Sequence, residues 1–315
     1  MRVPASRRRR PAGEHAAGTP RRGARRRRVA RARAAAPHAD PLPVRHALAL
    51  GLIQGPTELL PVSSSAHTEL LPWLAGWPYA ALDGRRRKSF ELALHAGAGL
   101  ALALGMRSEL LHDGARLDAR RAGSLALALG LPALAGYTLE RPIERRLGGP
   151  RSIAAGLAAG ALALALADRR ASPDATRSRT LRDAGPGDGL ALGLAQALAL
   201  IPGVSRNGAT LTAARARGFD RRAADALSWH AGLPVMLGAS ALRGARMLRD
   251  GVSREERLAL AVGAASAFGS TLASAAVLTR AARTRRSLLP YALYRCLLAG
   301  LVLRRTRSGA TRTPT

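Results

Sequence analysis

The chain has 315 residues, 47% of them hydrophobic but only 3% aromatic, and 50 Lys+Arg against 20 Asp+Glu give a formal net charge of +30. A single cysteine, Cys296, excludes an intrachain disulfide framework and any Cys-cluster metal site, and the scarcity of aromatics argues against a base-stacking nucleic-acid binder. The mean hydropathy of -0.02 averages nearly charge-free Ala/Leu/Gly runs with Arg-dense patches, a segregation unusual in a water-soluble domain.

Residues 1–43 read as a separate arm. Thirteen Arg stand by residue 33 against one Glu, with scattered Pro and Gly and no apolar period, so the arm cannot bury a core and is expected to be disordered. No apolar run precedes Pro41 and Pro43, so it does not read as a signal peptide. Such an arm suits anionic lipid or nucleic acid, but a dispensable extension is the preferred reading.

From Val44 onward apolar stretches alternate with Arg-rich connectors. Segments with little or no charge run over 90–106, 123–139, 152–167, 229–242, 258–279 and 288–303, several of them near the roughly 17–25 residues that a bilayer-spanning helix needs. Six transmembrane helices are expected, rich in small residues that permit close packing in lipid. The polyarginine connectors disfavour a soluble bundle. Residues 305–315 read as a basic tail.

Two further apolar segments, 48–71 and 190–213, are each cut by Pro and followed by hydroxyl residues. They are related. One offset of 142 residues separates Gly51 from Gly193, Gln54 from Gln196, Val62 from Val204 and Ser63 from Ser205, which marks an internal repeat with halves at about 44–168 and 188–304. Pro removes a donor and clashes with the preceding turn, so each segment should be two half-helices meeting at Pro61-Val62 or Pro202-Gly203. That describes a re-entrant hairpin lining a protein or water cavity. An odd number of spans between the hairpins makes them enter from opposite faces. The fold class expected is therefore an all-α integral membrane protein, with about six spans plus two re-entrant helical hairpins in an inverted-topology repeat.

The hairpin tips carry the chemistry. Ser63, Ser64 and Ser65, with Gly203, Ser205, Arg206, Asn207, Gly208 and Thr210, bring helix-terminal N–H groups, hydroxyls and a guanidinium to one cavity, a set suited to phosphate. Gln54 and Glu58 sit four apart on the first half-helix, and Ser64 and His67 three apart on the next. Each has a bland role open to it, as cap, polar contact or neutralising partner. Together, an intramembrane Glu, His and Arg point to function. Glu91 and His95 are four apart on the first full span and are read either as cavity residues or as helix–helix contacts. Arg295 is read as countering a buried acid or a lipid phosphate, and Trp229 and His230 as interfacial anchors.

QGPTELLPVSSSAH (54–67), FELALHAG (90–97), IPGVSRNGAT (201–210) and Tyr294-Arg295 resemble, in order and spacing, the motifs of the bacterial undecaprenyl-diphosphatase family linked to bacitracin resistance. The resemblance spans about residues 44–303. It implies a multi-pass bacterial plasma-membrane enzyme that hydrolyses undecaprenyl diphosphate to the monophosphate, recycles the lipid carrier of peptidoglycan synthesis and depends on magnesium or calcium. By the same resemblance Glu58 matches the second Glu of the family's first motif, Ser64 the candidate nucleophilic Ser, His67 the motif His and Arg206 the motif Arg. Gln54 replaces the first Glu and so takes away one of two carboxylates open to a metal, while Ala66, Pro56 and Asn207 also depart from the pattern.

On this reading Glu58 is the chosen metal ligand, with Gln54 a weak second. His67 is a general acid or base, and Arg206 stabilises charge. Ser64 either attacks phosphorus or binds the phosphate. The expected partners are a polyprenyl diphosphate and membrane lipids, with room for a homodimer and no nucleic acid. The rival reading is an inverted-repeat transporter that moves a polyprenyl phosphate or an anion without hydrolysing it. Lys and Arg balance between the two loop sets once the arm is set aside, so charge does not choose an orientation. The resemblance implies catalysis at the outer face.

Overall fold

The computed structural model describes residues 42–108, 118–170, 178–250, 252–282 and 287–310, all within one compact unit, Asp40–Thr315. The Arg-rich arm, apart from its last two residues, lies outside the described residues. Among the described residues there are ten α-helices: α1 Val44–Leu59, α2 Ser64–Ala75, α3 Gly84–Gly105, α4 Ala119–Leu147, α5 Pro150–Arg170, α6 Pro186–Leu198, α7 Arg206–Ala216, α8 Arg221–Asp250, α9 Arg254–Ala282 and α10 Leu289–Ala310. Among the described residues the only β-pairing is an isolated bridge between Arg179 and Phe219. α10 runs on to Ala310, past the expected start of the basic tail.

Every segment expected to span the membrane falls, to within one residue, inside one long helix. By length and composition, three of these can cross a membrane: α4, α5, and α9 over Arg254–Val277. The other three, α3, α8 and α10, carry Glu91 and His95, His230, and Tyr294 and Arg295 within their apolar stretches. Outward-facing leucines such as Leu100, Leu134, Leu162, Leu194 and Leu297 stand exposed around the bundle, an apolar surface far larger than water-soluble monomers usually present.

The two broken segments fold as the Pro positions dictate. α1 stops at Leu59 and α2 starts at Ser64; α6 stops at Leu198 and α7 starts at Arg206. The helices pair by repeat. α1 lies along α9 as α6 lies along α4, while α3 packs on α8 and α5 on α10. Exchanging the halves α1–α5 and α6–α10 leaves this pattern unchanged, as a two-fold relation requires.

Small residues set both equivalent contacts. A Cβ added at Gly51 would overlap Ser266 and the Gly263 carbonyl of α9, and one added at Gly193 would overlap the Leu127 carbonyl of α4. The two helix pairs therefore approach backbone to backbone. Within α1, Pro56 cannot continue the helical ladder, and its ring displaces the preceding turn. Ser270 of α9 enters the opening: the Gly55 N–H donates to its Oγ at 3.1 Å, and that hydroxyl donates to the Gly51 carbonyl at 2.9 Å. A hydroxyl thus replaces one i→i−4 bond and leaves neither group orphaned. Gly193→Ala is expected to lower stability by about 1–3 kcal/mol through overpacking. Gly130→Ala, on a face of α4 with open space around it, should stabilise by up to about 1 kcal/mol. Thermal unfolding in detergent checks the opposite signs.

Polar ties sort the helix ends into two sets. At one end Arg86 of α3 pairs with Glu256 of α9 at 2.7 Å, Lys88 of α3 with Glu144 of α4 at 2.8 Å, and Arg87 of α3 with Glu69 of α2 at 3.0 Å. At the other, Asp168 of α5 accepts from Arg215 of α7 at 3.0 Å, from Arg221 of α8 at 2.9 Å and from the Leu288 N–H before α10 at 3.0 Å. Asp188 of α6 takes both Arg179 and Arg217 there. In the adjoining turn the Thr180 N–H and hydroxyl hold the Asp183 carboxyl below its usual range.

Candidate active site

The loops that end α1 and α6 meet inside the bundle, and Glu58 stands between them, 5% exposed. Its position one residue before the end of α1 aims the carboxylate at the starts of α2 and α7. Oε1 accepts from Arg206 Nη2 at 2.8 Å. Oε2 accepts from Ser64 Oγ at 2.6 Å and from Gln54 Nε2 at 3.1 Å, and His95 Nε2 lies 3.5 Å from the same oxygen. A buried carboxylate is costly unless paired and hydrogen-bonded. Here it is both.

Arg206 is the first residue of α7, which Ser205 caps by accepting the Gly208 N–H at 3.1 Å. Its guanidinium lies 5.4 Å from the centre of the Trp229 ring and occupies space that Gly232 leaves open, since a Cβ there would overlap Nη1. Trp229 is therefore a buried platform beneath Arg206, at 6% exposure, rather than the interfacial anchor its place at the start of an apolar run suggests. Nη1 of Arg206 is buried without a partner.

α2 begins from an unusual turn. Ser63 has φ of 75°, the only positive φ outside glycine among the described residues. Strain of this kind persists where the surroundings fix it. His67 helps to fix it: Nδ1 lies 2.7 Å from the Ser63 carbonyl, and Nε2 lies 2.6 Å from the Tyr294 hydroxyl of α10. A carbonyl only accepts, so Nδ1 carries a proton.

A cavity of about 520 Å³ adjoins the tips. Glu58, Ser63, Ser64, Ser65, Gly203, Ser205, Arg206 and Asn207 line it, and His95 joins them from α3. It runs to the end of the bundle tied by Arg86, Arg87 and Lys88, where Gly84, Lys88, Glu144, Gly148 and Arg243 surround its mouth. Gln54, His67, Gly208 and Thr210 stand off the wall.

Several expected phosphate donors are already engaged. Asn207 Nδ2 donates to the Leu59 carbonyl at 3.2 Å, and Asn207 Oδ1 accepts from Ser228 Oγ at 2.9 Å. Thr210 Oγ1 sits 2.5 Å from that same Ser228 hydroxyl. These bonds lock the start of α7 to the end of α1 and to α8. Gly203, at φ of 91°, gives the tip a conformation open to glycine, and a Cβ there would overlap the Ile153 carbonyl of α5. Beneath the tip lies Arg295, fully buried; Nη2 reaches the Gly203 carbonyl at 3.3 Å, while Nε and Nη1 have no partner. It braces the tip from outside the cavity. No acid paired with it occurs among the described residues.

The residues the sequence underrated are His95, Trp229 and Tyr294. His95 carried a signal in its four-residue spacing from Glu91 on an otherwise apolar helix, and Tyr294 in the Tyr294-Arg295 pair; Trp229 carried none.

Among the described residues no three His, Cys, Asp or Glu side chains stand close enough to cage a metal. At the hairpin tips the donor set offers one hard carboxylate, Glu58, on the cavity wall, which fits a magnesium or calcium ion that brings waters and phosphate oxygens of its own.

An all-helical bundle with apolar outer faces, enclosing a carboxylate shared by a serine and an arginine at two meeting hairpin tips, defines a class of membrane-type proteins with a buried polar centre. A sequence model of the family described as "Bacitracin resistance protein BacA" matches residues 47–301, and the chain belongs to that family. It is 40% identical over 273 residues to the undecaprenyl-diphosphatase of Geobacter sulfurreducens, covering 82% of this chain and 97% of that one. It is 42% identical over 270 residues to the undecaprenyl-diphosphatase of Geobacter metallireducens, covering 81% and 95%. With the Thermomicrobium roseum undecaprenyl-diphosphatase the identity is 38% over 277 residues, covering 82% and 95%.

Proposed function

We propose that the chain is an undecaprenyl-diphosphate phosphatase, a hydrolase that cleaves the phosphoanhydride to undecaprenyl phosphate and inorganic phosphate. In that role it returns the peptidoglycan lipid carrier to use and confers bacitracin resistance. The observation that carries this reading is the Ser64–Glu58–Arg206 group: a hydroxyl 2.6 Å from a carboxylate that an arginine holds at 2.8 Å. A nucleophile beside an oriented base is the arrangement that activates a hydroxyl or a water. Arg206 lines the cavity and supplies a guanidinium for a phosphate oxygen. Ser63, Ser65 and the first N–H groups of α2 supply others.

The terminal phosphoryl group sits against Arg206 and the serines, and its bridging oxygen points towards the mouth. Ser64 Oγ, or a water beside it, attacks phosphorus while Glu58 Oε2 takes the proton. A magnesium or calcium ion held by Glu58 and the diphosphate would neutralise charge on the phosphate oxygens. The remaining work is positioning and electrostatics by fixed groups.

The membrane reading extends the observed helices. Six spans and two re-entrant hairpins fit the apolar outer faces, and the polar ties support hairpins that enter from opposite faces: Glu69, midway along α2, pairs with Arg87 at the start of α3, while Asp188 and Arg217 of the second hairpin are tied at the other end. The chain is then a multi-pass plasma-membrane protein whose lipid substrate reaches the cavity from the bilayer, with the Arg-rich arm as an appendage. A transporter of polyprenyl phosphates uses the same architecture but has no need of a serine bonded to a buried base.

Purified protein in detergent, given a polyprenyl diphosphate and a divalent cation, is expected to release inorganic phosphate, and none from the corresponding monophosphate. Transport into vesicles without phosphate release would overturn the hydrolase in favour of the transporter.

A further inference from the structure

Arg295 of α10 is a cation with no exposed surface, set in an apolar stretch of its helix. The fold makes room for it. A Cβ added at Gly160 of α5 would overlap Nη2, and one added at Gly208 of α7 would overlap Nη1, so two glycines leave the slot that the guanidinium fills. Nη2 donates to the Gly203 carbonyl at 3.3 Å, while Nε and Nη1 are buried without a partner. That one bond braces the tip, but a buried charge costs far more than a single hydrogen bond returns. An ionisable side chain inside a membrane bundle is kept where it serves function.

The groups next to the guanidinium say what it serves. Gly203 and Ser205 line the cavity, and Gly208 belongs to the first turn of α7, the helix that starts at the cavity wall. A helix start carries about half a positive charge and favours an anion. Arg295 sets a full charge behind that start, and no carboxylate pairs with it among the described residues. In front, the charge of Arg206 is answered by Glu58 at 2.8 Å. Across Glu58, Arg206 and Arg295 the tip is left with one positive charge in excess. The terminal phosphate of a diphosphate lipid is the group that answers it.

We propose that Arg295 is a positioning residue for that phosphate: its charge, held behind the Gly203 tip, raises the anion affinity of the start of α7 without touching the ligand. The proposal rests on the phosphatase reading. It separates Arg295 from Arg206, which lines the cavity, and gives the buried guanidinium a task beyond its bond to Gly203.

A brace and a charge predict opposite effects on stability. Loss of a brace lowers the unfolding temperature. Loss of an uncompensated buried charge leaves it unchanged or raises it, as when apolar side chains of similar volume replace buried ions.

The test uses the full chain in detergent with inorganic phosphate as the probe, read as the rise of the thermal unfolding midpoint with phosphate concentration. Alongside it, kcat and KM are measured with a short-chain polyprenyl diphosphate. Arg295→Met and Arg295→Gln are each expected to bind phosphate about 10- to 100-fold more weakly, the range of one charge acting across several ångströms of protein. KM should rise by a similar factor while kcat changes less. Without phosphate, the midpoint of the variants should equal or exceed that of the wild type. Should one variant fail to fold, the other decides on the same readouts. A neutral variant with the wild type's phosphate affinity overturns the proposal, and so does a phosphate-free midpoint that falls in both variants, which leaves Arg295 a brace only. A wild-type protein that releases no phosphate from the diphosphate overturns the phosphatase reading, and the proposal with it.

Discussion

Arg206→Lys is expected to reduce phosphate release by about 10²- to 10³-fold, the loss found when a fixed donor to a developing oxyanion is removed. The guanidinium meets several requirements at once. Nη2 holds Glu58 at 2.8 Å, the guanidinium lies over Trp229, and the side chain lines the cavity. An ammonium keeps a positive charge near Glu58 but has no rigid fork to bond a carboxylate and a phosphate together. Arg206→Ala goes further and strips a buried carboxylate of its contacting cation, which costs about 3–5 kcal/mol in stability. Arg206 therefore acts on the fold as well as in the cavity, because the same side chain neutralises Glu58. Glu58→Gln combined with Arg206→Ala should recover most of the stability and none of the turnover, since contacting residues do not add independently. Phosphate release near the wild-type rate in the Lys variant would remove Arg206 from the site.

The hairpins were legible in sequence because their cause is local. Pro61 and Pro202 interrupt apolar runs, and the constant offset from Gln54 to Gln196 and from Ser63 to Ser205 marks the breaks as one feature used twice. The helices break where expected. Glu58, Ser64 and Arg206 converge because that break brings the two tips together, and the pattern of helix pairing follows from the repeat.

What the sequence hid depends on residues far apart in the chain. Tyr294 is 227 residues from His67, and Ser270 is 215 from the Gly55 N–H it accepts. No period or spacing carries such pairings. Equivalent residues have also diverged in their work: Gln54 donates to Glu58, whereas Gln196 donates to the Ala128 carbonyl at 2.9 Å and ties helices together. The repeat thus preserves a residue type without preserving its role. Hydropathy also fades where function enters, because α3, α8 and α10 carry the polar side chains that serve the tips.

Glu58→Gln is expected to lower kcat by about 10²- to 10³-fold even at saturating metal. A carboxamide keeps one acceptor and turns the other oxygen into a donor. Three donors now converge on this carboxylate, from Ser64, Gln54 and Arg206, so the new N–H₂ must face at least one of them and Ser64 loses its proton acceptor. A second effect should appear in the same titration: with the carboxylate's charge gone, half-maximal activity needs more magnesium or calcium. Gln54→Glu tests the metal from the other side. Gln54 is fully buried, with Nε2 3.1 Å from Glu58, so a carboxylate there sets like charges in contact away from water. That variant should unfold at lower temperature in chelator and regain stability as the cation is added, with a lower metal midpoint than the wild type. If Glu58→Gln depresses turnover equally at every metal concentration, Glu58 handles protons only and the cation is held by the substrate and other groups; unchanged turnover would take Glu58 out of both roles.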